Sequence, residues 1–284
     1  MRYTLSTQKD YVLKLTGSNF TIKSDLGKTT GNTPVTHYQL NETSGTNVAD
    51  SVNSRTAIST TNTSNLTTIG KIRNAFEFDG TGETVEDADA EDYLNGMTAV
   101  SVSFWIKSNE ISTDRGIFAT RDPIGGDDGL AVRYDASGFG GGGNNVIKVS
   151  MGASVLESSE NIQTTNWQHI VVVGDPGEVA RLYVNGVLDT PTWTSGTFTS
   201  LSGLTRLLIG MGVKGTIGSS GWNGKIDDFR IYDSILTQAE IEYLYSNGSG
   251  TEDFNINSIR YILKDDGRIT LKNLNQDSLI IKEA

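Results

Sequence analysis

The chain has 284 residues, no cysteine and a formal net charge of −11. Without cysteine it has no disulfides, thiolate nucleophiles or sulfur-held metals, and its acidity argues against nucleic acid, whose phosphates are neutralised by clustered Lys and Arg. The same acidity suits oxygen-ligated cations such as Ca²⁺. No apolar run is long enough to cross a bilayer, and the opening MRYTLSTQKDYVLKL lacks the apolar core of a signal peptide.

In chain order, DYVLKLTGSNFTIKSD reads as a strand, a Gly-containing turn and a second strand, and the C-terminal IRYILKDDGRITLKNL and DSLIIKEA read the same way. A lone hairpin is marginal in water, so these ends are expected to pair with one another, with the central domain or with neighbouring chains. The expected division is 1–33 as an N-terminal hairpin, attachment element and linker, 34–248 as the central domain, and 249–284 as a C-terminal strand element. GKTTGNTP and NGSGTED are the linkers.

Between the ends run short apolar stretches punctuated by Gly, Asn, Asp and Ser: AFEFDG, VSVSFWIKS, GIFATRD, GLAVRYD, VIKVSMG, HIVVVGD, RLYVNGVLD, RLLIGMG and KIDDFRIYD. Their spacing and their Val, Ile, Phe and Tyr content predict antiparallel strands of a sandwich, not βαβ units. Asn185-Gly186 predicts a type I′ hairpin turn. One helix is predicted in LTQAEIEYLYSNG. Thr237 and Glu240 form a capping box, Leu236 and Ile241 a staple, Ile241, Leu244 and Tyr245 an apolar stripe, and Gly248 a terminator.

Three stretches invite a catalytic reading. In ETVEDADAEDYL, Asp87, Asp89 and Glu91 alternate as they would along one face of a strand. Its acids fall on both faces, however, and no aromatic subsite residue accompanies them, so it is read as a solvated acidic turn or short helix. His37 and His169, the only histidines, lie in strand patterns and outside any zinc spacing. The GFGGGG run is followed by neither Lys-Ser/Thr nor a helix, which predicts a hairpin tip.

For ligand contact, Trp105 and Trp167 sit in apolar strand patterns and are assigned to the core. Trp193 in TPTWTSG and Trp222 in GSSGWNG sit among turn residues and are the candidate sugar platforms, with Tyr134 and Phe139 beside the Gly-rich tip in second rank. Local packing under loops is the competing reading for each.

HYQLNETSGTNVADSVNS, NAFEFDGTGETV, VSVSFWIKS, NWQHIVVVGDPGEVARLYVNGVLD and WNGKIDDFRIYDSILTQAEIEYLY occur in that order. Together they resemble the laminin-G-like, concanavalin A-like jelly-roll family found in bacterial surface proteins and phage structural proteins, over roughly residues 36–247. The resemblance implies an all-β jelly-roll sandwich closed by one short C-terminal clasp helix and flanked by small terminal strand elements. It implies a carbohydrate- or protein-binding module, often with a structural Ca²⁺, although the same fold carries glycosidases. Carried over, the metal ligands are Asp50, Asn53 and Asp227. The chain departs from the family in this loop, where Val-Asn-Ser-Arg replaces the usual Gly-Asn-Gly. Arg55 could therefore replace the cation, and Asp227 could equally bond loop amides or pair with Arg55.

Three functional classes follow: a glycan-binding or adhesion module, secreted or on a cell surface; a structural virion component such as a decoration, fibre or tail protein; and a glycosidase, which needs two carboxylates across a cleft. The expectation is a non-catalytic, homo-oligomeric structural and adhesion protein on the surface of a phage particle. Its terminal strands would hold it to other virion or scaffold proteins, and its sandwich would bind surface glycans, without nucleic acid or membrane insertion.

Overall fold

The structure, a computed structural model, describes residues 11–14, 20–22, 32–120, 129–137, 143–211, 221–253, 260–263, 268–272 and 281–283. The chain divides into two compact units, Pro34–Glu252 and a second that joins Met1–Thr33 to Asp253–Ala284.

The first unit is a sandwich of two antiparallel sheets. One has nine strands in the spatial order Trp193–Ser195, Ser154–Glu157, Val146–Met151, Leu130–Asp135, Arg115–Ala119, Leu207–Ile209, Val85–Asp87, Thr56–Ser59 and Asn47–Ala49. The other has eight: Val187–Leu188, Arg181–Val184, Gln168–Gly174, Val100–Ser108, Asn223–Tyr232, Asn74–Asp79 and Thr67–Ile69 in order, with Thr36–Tyr38 also pairing to Asn223–Tyr232. Spatial neighbours are often distant in sequence, since Leu207–Ile209 lies between Arg115–Ala119 and Val85–Asp87. This crossing connectivity is that of a jelly roll.

Strand alternation builds the core. Val100, Val102, Phe104 and Ile106 point inward from one central strand, and Phe229 and Ile231 from its neighbour. Phe118, from the facing sheet, meets Phe104 edge-on at 5.4 Å and Phe229 at 5.0 Å. Each such side chain contributes about 1.5–3 kcal/mol by leaving water.

The opposite face of the eight-stranded sheet is also covered. Ser101, Ser103 and Trp105 alternate with the core residues yet are buried, because the Gln238–Tyr245 helix lies over them. Tyr245 stacks on Trp105 at 5.8 Å, and the Leu236 amide donates to Ser101 Oγ at 3.0 Å. The helix begins with the predicted capping box of Thr237 and Glu240 and ends at Ser246, in the left-handed region. The Asn185-Gly186 turn has φ of 53° and 80°, and Val184 pairs with Val187. Trp167, expected in the core, is half-buried: it precedes the Gln168–Gly174 strand and escapes its alternation.

In the second unit Tyr11–Lys14 pairs with Arg268–Lys272, which also pairs with Arg260–Leu263, while Phe20–Ile22 pairs with Ile281–Glu283. Strands from the two ends of the sequence therefore share sheets.

Candidate functional site

At the start of the sandwich, Tyr38 bridges to Asp50, and the Asp50 amide donates to the Arg55 carbonyl, which closes the 50–55 loop. The Asp50 carboxylate is buried within it. Its Oδ1 accepts from the amides of His37 (3.0 Å) and Val52 (2.9 Å), and its Oδ2 from Thr36 Oγ1 (3.0 Å) and Arg55 Nη1 (3.4 Å). Asn53 is exposed and donates its side-chain amide to the Val35 carbonyl at 2.7 Å, which also accepts from Arg55 Nη1 at 2.7 Å.

Asp227 lies on the outer face of the Asn223–Tyr232 strand. Its Oδ2 accepts from the Lys71 and Ile72 amides at 2.7 and 2.8 Å, and its buried Oδ1 has no hydrogen-bond partner among the described residues. Burial pushes its carboxyl up to about 8. Asp228 adopts φ 56°, where the strand shifts register between Asp227 and Arg230. Its Oδ1 meets His37 Nε2 at 2.7 Å and Arg230 Nη2 at 2.8 Å, so the outer face holds a buried ion pair with an imidazole bonded to its carboxylate. The Arg230 guanidinium, acting against the opposing effect of burial, holds the Asp228 carboxyl below its ordinary value.

These residues do not fit a calcium ion. A carboxylate offers about four acceptor sites, and all of those on Asp50 receive N–H or O–H donors. Asp227 keeps one oxygen on a carboxyl that burial favours in its neutral form, whereas Ca²⁺ needs six to eight oxygens. Among the described residues no group of three or more His, Asp or Glu is placed to hold a metal.

The acidic stretch resolves into the Val85–Asp87 strand, a turn and the short Glu91–Leu94 helix, with Asp89 and Glu91 exposed. Asp87 is instead buried, where its Oδ2 accepts the hydroxyls of Tyr38 and Tyr93, each at 2.7 Å. His169 is buried beside Trp105, with Nε2 at 2.9 Å from Ser103 Oγ, and burial lowers it to about 3.

Of the candidate sugar platforms, Trp222 and Tyr134 require correction. Trp222 is fully buried, donates Nε1–H to the Lys225 carbonyl at 3.2 Å and meets the ring of Tyr134 edge-on at 5.1 Å. Tyr134 shares strand parity with Leu130 and Val132, so it too faces the core, where its hydroxyl donates to Gln168 at 2.7 Å. Phe139 and most of the Gly-rich tip lie outside the described residues.

Trp193 is half-buried on the edge strand of the nine-stranded sheet. It sits in register with Glu157, Glu157 with Lys148, and Lys148 with Arg133. Partners in an antiparallel ladder share a face, so an aromatic, an acid and two bases form one row on the face of this sheet turned away from the core; Glu157 and Lys148 are buried within it, and Trp193 and Arg133 at its two ends are partly exposed. Arg133 also binds Asp135 on that face at 2.7 Å. The row was missed in the sequence, although the alternation of GLAVRYD puts Arg133 opposite Val132 and Tyr134.

A model of the concanavalin A-like lectin/glucanases superfamily matches residues 79–242, more than half of the chain. No curated protein matches it in sequence. Among solved structures, domain 4 of the extracellular arabinanase AbnA from Geobacillus stearothermophilus, in complex with arabinotriose, is 19% identical with a TM-score of 0.51, over 75% of this chain and 98% of that one. A Trypanosoma rangeli sialidase in complex with 2,3-difluorosialic acid is 14% identical with a TM-score of 0.56, over 77% of this chain and 33% of that one. The receptor binding domain of botulinum neurotoxin D is 16% identical with a TM-score of 0.51, over 76% and 52%. At these identities the likeness is one of fold.

Proposed function

The chain belongs to the concanavalin A-like lectin/glucanases superfamily, and from that premise we propose that it is a non-catalytic display and adhesion protein whose sandwich binds glycans. The observation that carries the reading is the half-buried indole of Trp193 on a sheet edge, held in register with the buried Glu157 and Lys148 and, at the far end of the row, the partly exposed Arg133. An indole stacks on the apolar face of a sugar ring, while a few fixed polar groups orient its hydroxyls. The arabinotriose complex of one neighbour supports a carbohydrate ligand, and the receptor-binding role of another supports adhesion.

A binding role is favoured over glycoside hydrolysis by the acids along the Trp193 row. Hydrolysis requires two carboxyl groups that face a bound sugar across a cleft. Asp135 is instead ion-paired to Arg133 and accepts the Ser137 amide at 3.3 Å, and Glu157 is fully buried.

We further propose display as copies on a larger particle such as a phage virion, with the terminal unit as the attachment element. The division of the chain into two compact units supports this reading.

The test is a glycan array probed with the full chain and with Trp193→Ala. Binding to a defined glycan, weakened about tenfold or more by the substitution, is the expected outcome. Absence of binding to any glycan defeats the reading, and release of reducing sugar from a bound oligosaccharide would replace it with hydrolysis. Light scattering of the full chain against residues 34–252 tests display, which requires that the terminal unit alone drive assembly.

A further inference from the structure

We propose that the Arg55 guanidinium is the resident cation of the 50–55 loop and performs there the charge-neutralising work that a metal ion would otherwise do. The argument begins with what gathers oxygen in this loop. Arg55 Nη1 lies 2.7 Å from the Val35 carbonyl and 3.4 Å from Asp50 Oδ2. A main-chain carbonyl and a buried carboxylate are hard oxygen donors of the kind a Ca²⁺ ion collects, and here one nitrogen spans both.

The guanidinium is fixed as well as charged. It lies 4.0 Å over the ring of Tyr93, whose hydroxyl donates to Asp87. Asp87 also holds Tyr38, and Tyr38 bridges to Asp50. Arg55, Tyr93, Asp87, Tyr38 and Asp50 thus form a closed circuit that ties the loop to both sheets and to the Glu91–Leu94 helix. Arg suits this position because it stays charged at any physiological pH, stacks on an aromatic face and forks between two acceptors. An ion coordinated by the same oxygens could not stack on Tyr93.

The Asp50 side chain is fully buried, whereas that of Arg55 is 31% exposed. Removing Arg55 would therefore leave Asp50 with three neutral donors and no cation, at a position that solvent reaches, and a divalent ion that completes its shell with water should take that place.

The experiment follows the thermal midpoint of the full chain by tryptophan fluorescence, which reads the sandwich because all four tryptophans lie within residues 34–252. The native chain and Arg55→Ala are each melted in millimolar Ca²⁺ and in chelator, and Tb³⁺ luminescence sensitised by the nearby tyrosines reports ion binding directly. The expected result is no calcium shift and no Tb³⁺ signal for the native chain. Arg55→Ala should melt several degrees lower in chelator, recover part of that loss in Ca²⁺ and bind Tb³⁺. A calcium-dependent midpoint in the native chain overturns the proposal, as does an Arg55→Ala protein that stays indifferent to both ions. Should Arg55→Ala not fold, the native titration still decides: binding of Ca²⁺ or Tb³⁺ there means that the guanidinium has not taken the place of a metal.

Discussion

Two tyrosine hydroxyls converge on a single oxygen of Asp87, and one of them crosses the sandwich to reach it. Tyr38 belongs to the eight-stranded sheet and Asp87 to the nine-stranded one, so their 2.7 Å bond links the layers. Burial above all, together with the charge of Asp87, raises both phenols above their ordinary value. Tyr38→Phe is expected to cost about 1–3 kcal/mol, because it takes a donor from a buried carboxylate; urea denaturation followed by fluorescence measures this, and an unchanged midpoint would assign the linkage no energetic weight. The histidines give a second prediction at this scale. Burial lowers both, His169 to about 3. Between about 6.5 and about 3 the unfolded chain therefore holds more protons at His169 than the folded one, so stability falls as pH drops through that window. NMR titration should show neither imidazole protonating near pH 6.5. An ordinary titration of His169 would contradict the buried stack it forms with Trp105.

The clasp helix shows how sequence and packing divide the work among elements. Its capping box satisfies amides that the first turn leaves unpaired, and Thr237→Ala should cost about 1 kcal/mol, lowering the sandwich midpoint by roughly 2–4 °C. A larger loss would mean that the cap also positions Tyr245 on Trp105. This helix, the Asn185-Gly186 hairpin and the alternating strands were legible because each rests on residues within a few positions of one another. Tyr134 was misassigned to a sugar contact, although its parity with Leu130 and Val132 outweighs its nearness to a Gly-rich tip and records its place in the core. Trp222 was not: its turn composition is local, and its burial depends on Tyr134 from a distant strand. The stacking of Arg55 on Tyr93 and the row that ends at Trp193 depend on which strands become neighbours, which no local pattern records. A backbone constraint of the same non-local kind falls on Gly224, at φ 146°, where a Cβ would stand 2.3 Å from the Lys107 carbonyl oxygen. Gly224→Ala is expected to destabilise the central pair of strands by more than the helix-cap change, as the same melting experiment would register.

At the scale of the whole molecule, the sandwich holds its own core, and its buried apolar residues, drawn from strands between Tyr38 and Ile231, form one cluster. Residues 34–252 alone are accordingly expected to keep the fluorescence melting midpoint of the full chain; a markedly lower midpoint would mean that the terminal unit contributes to the stability of the sandwich. The pairing of Tyr11–Lys14 with Arg268–Lys272 has a consequence in time as well as in space. During synthesis the first strand must wait, unpaired, while the ribosome makes the whole sandwich and then its partner. The sandwich can therefore fold first, and closure of the sheet that holds Tyr11–Lys14 follows once Arg268–Lys272 has been made. A polypeptide released early would carry a folded sandwich and a lone, aggregation-prone strand. If the terminal unit is what engages a larger assembly, unfinished chains would be excluded from it without any dedicated quality-control factor.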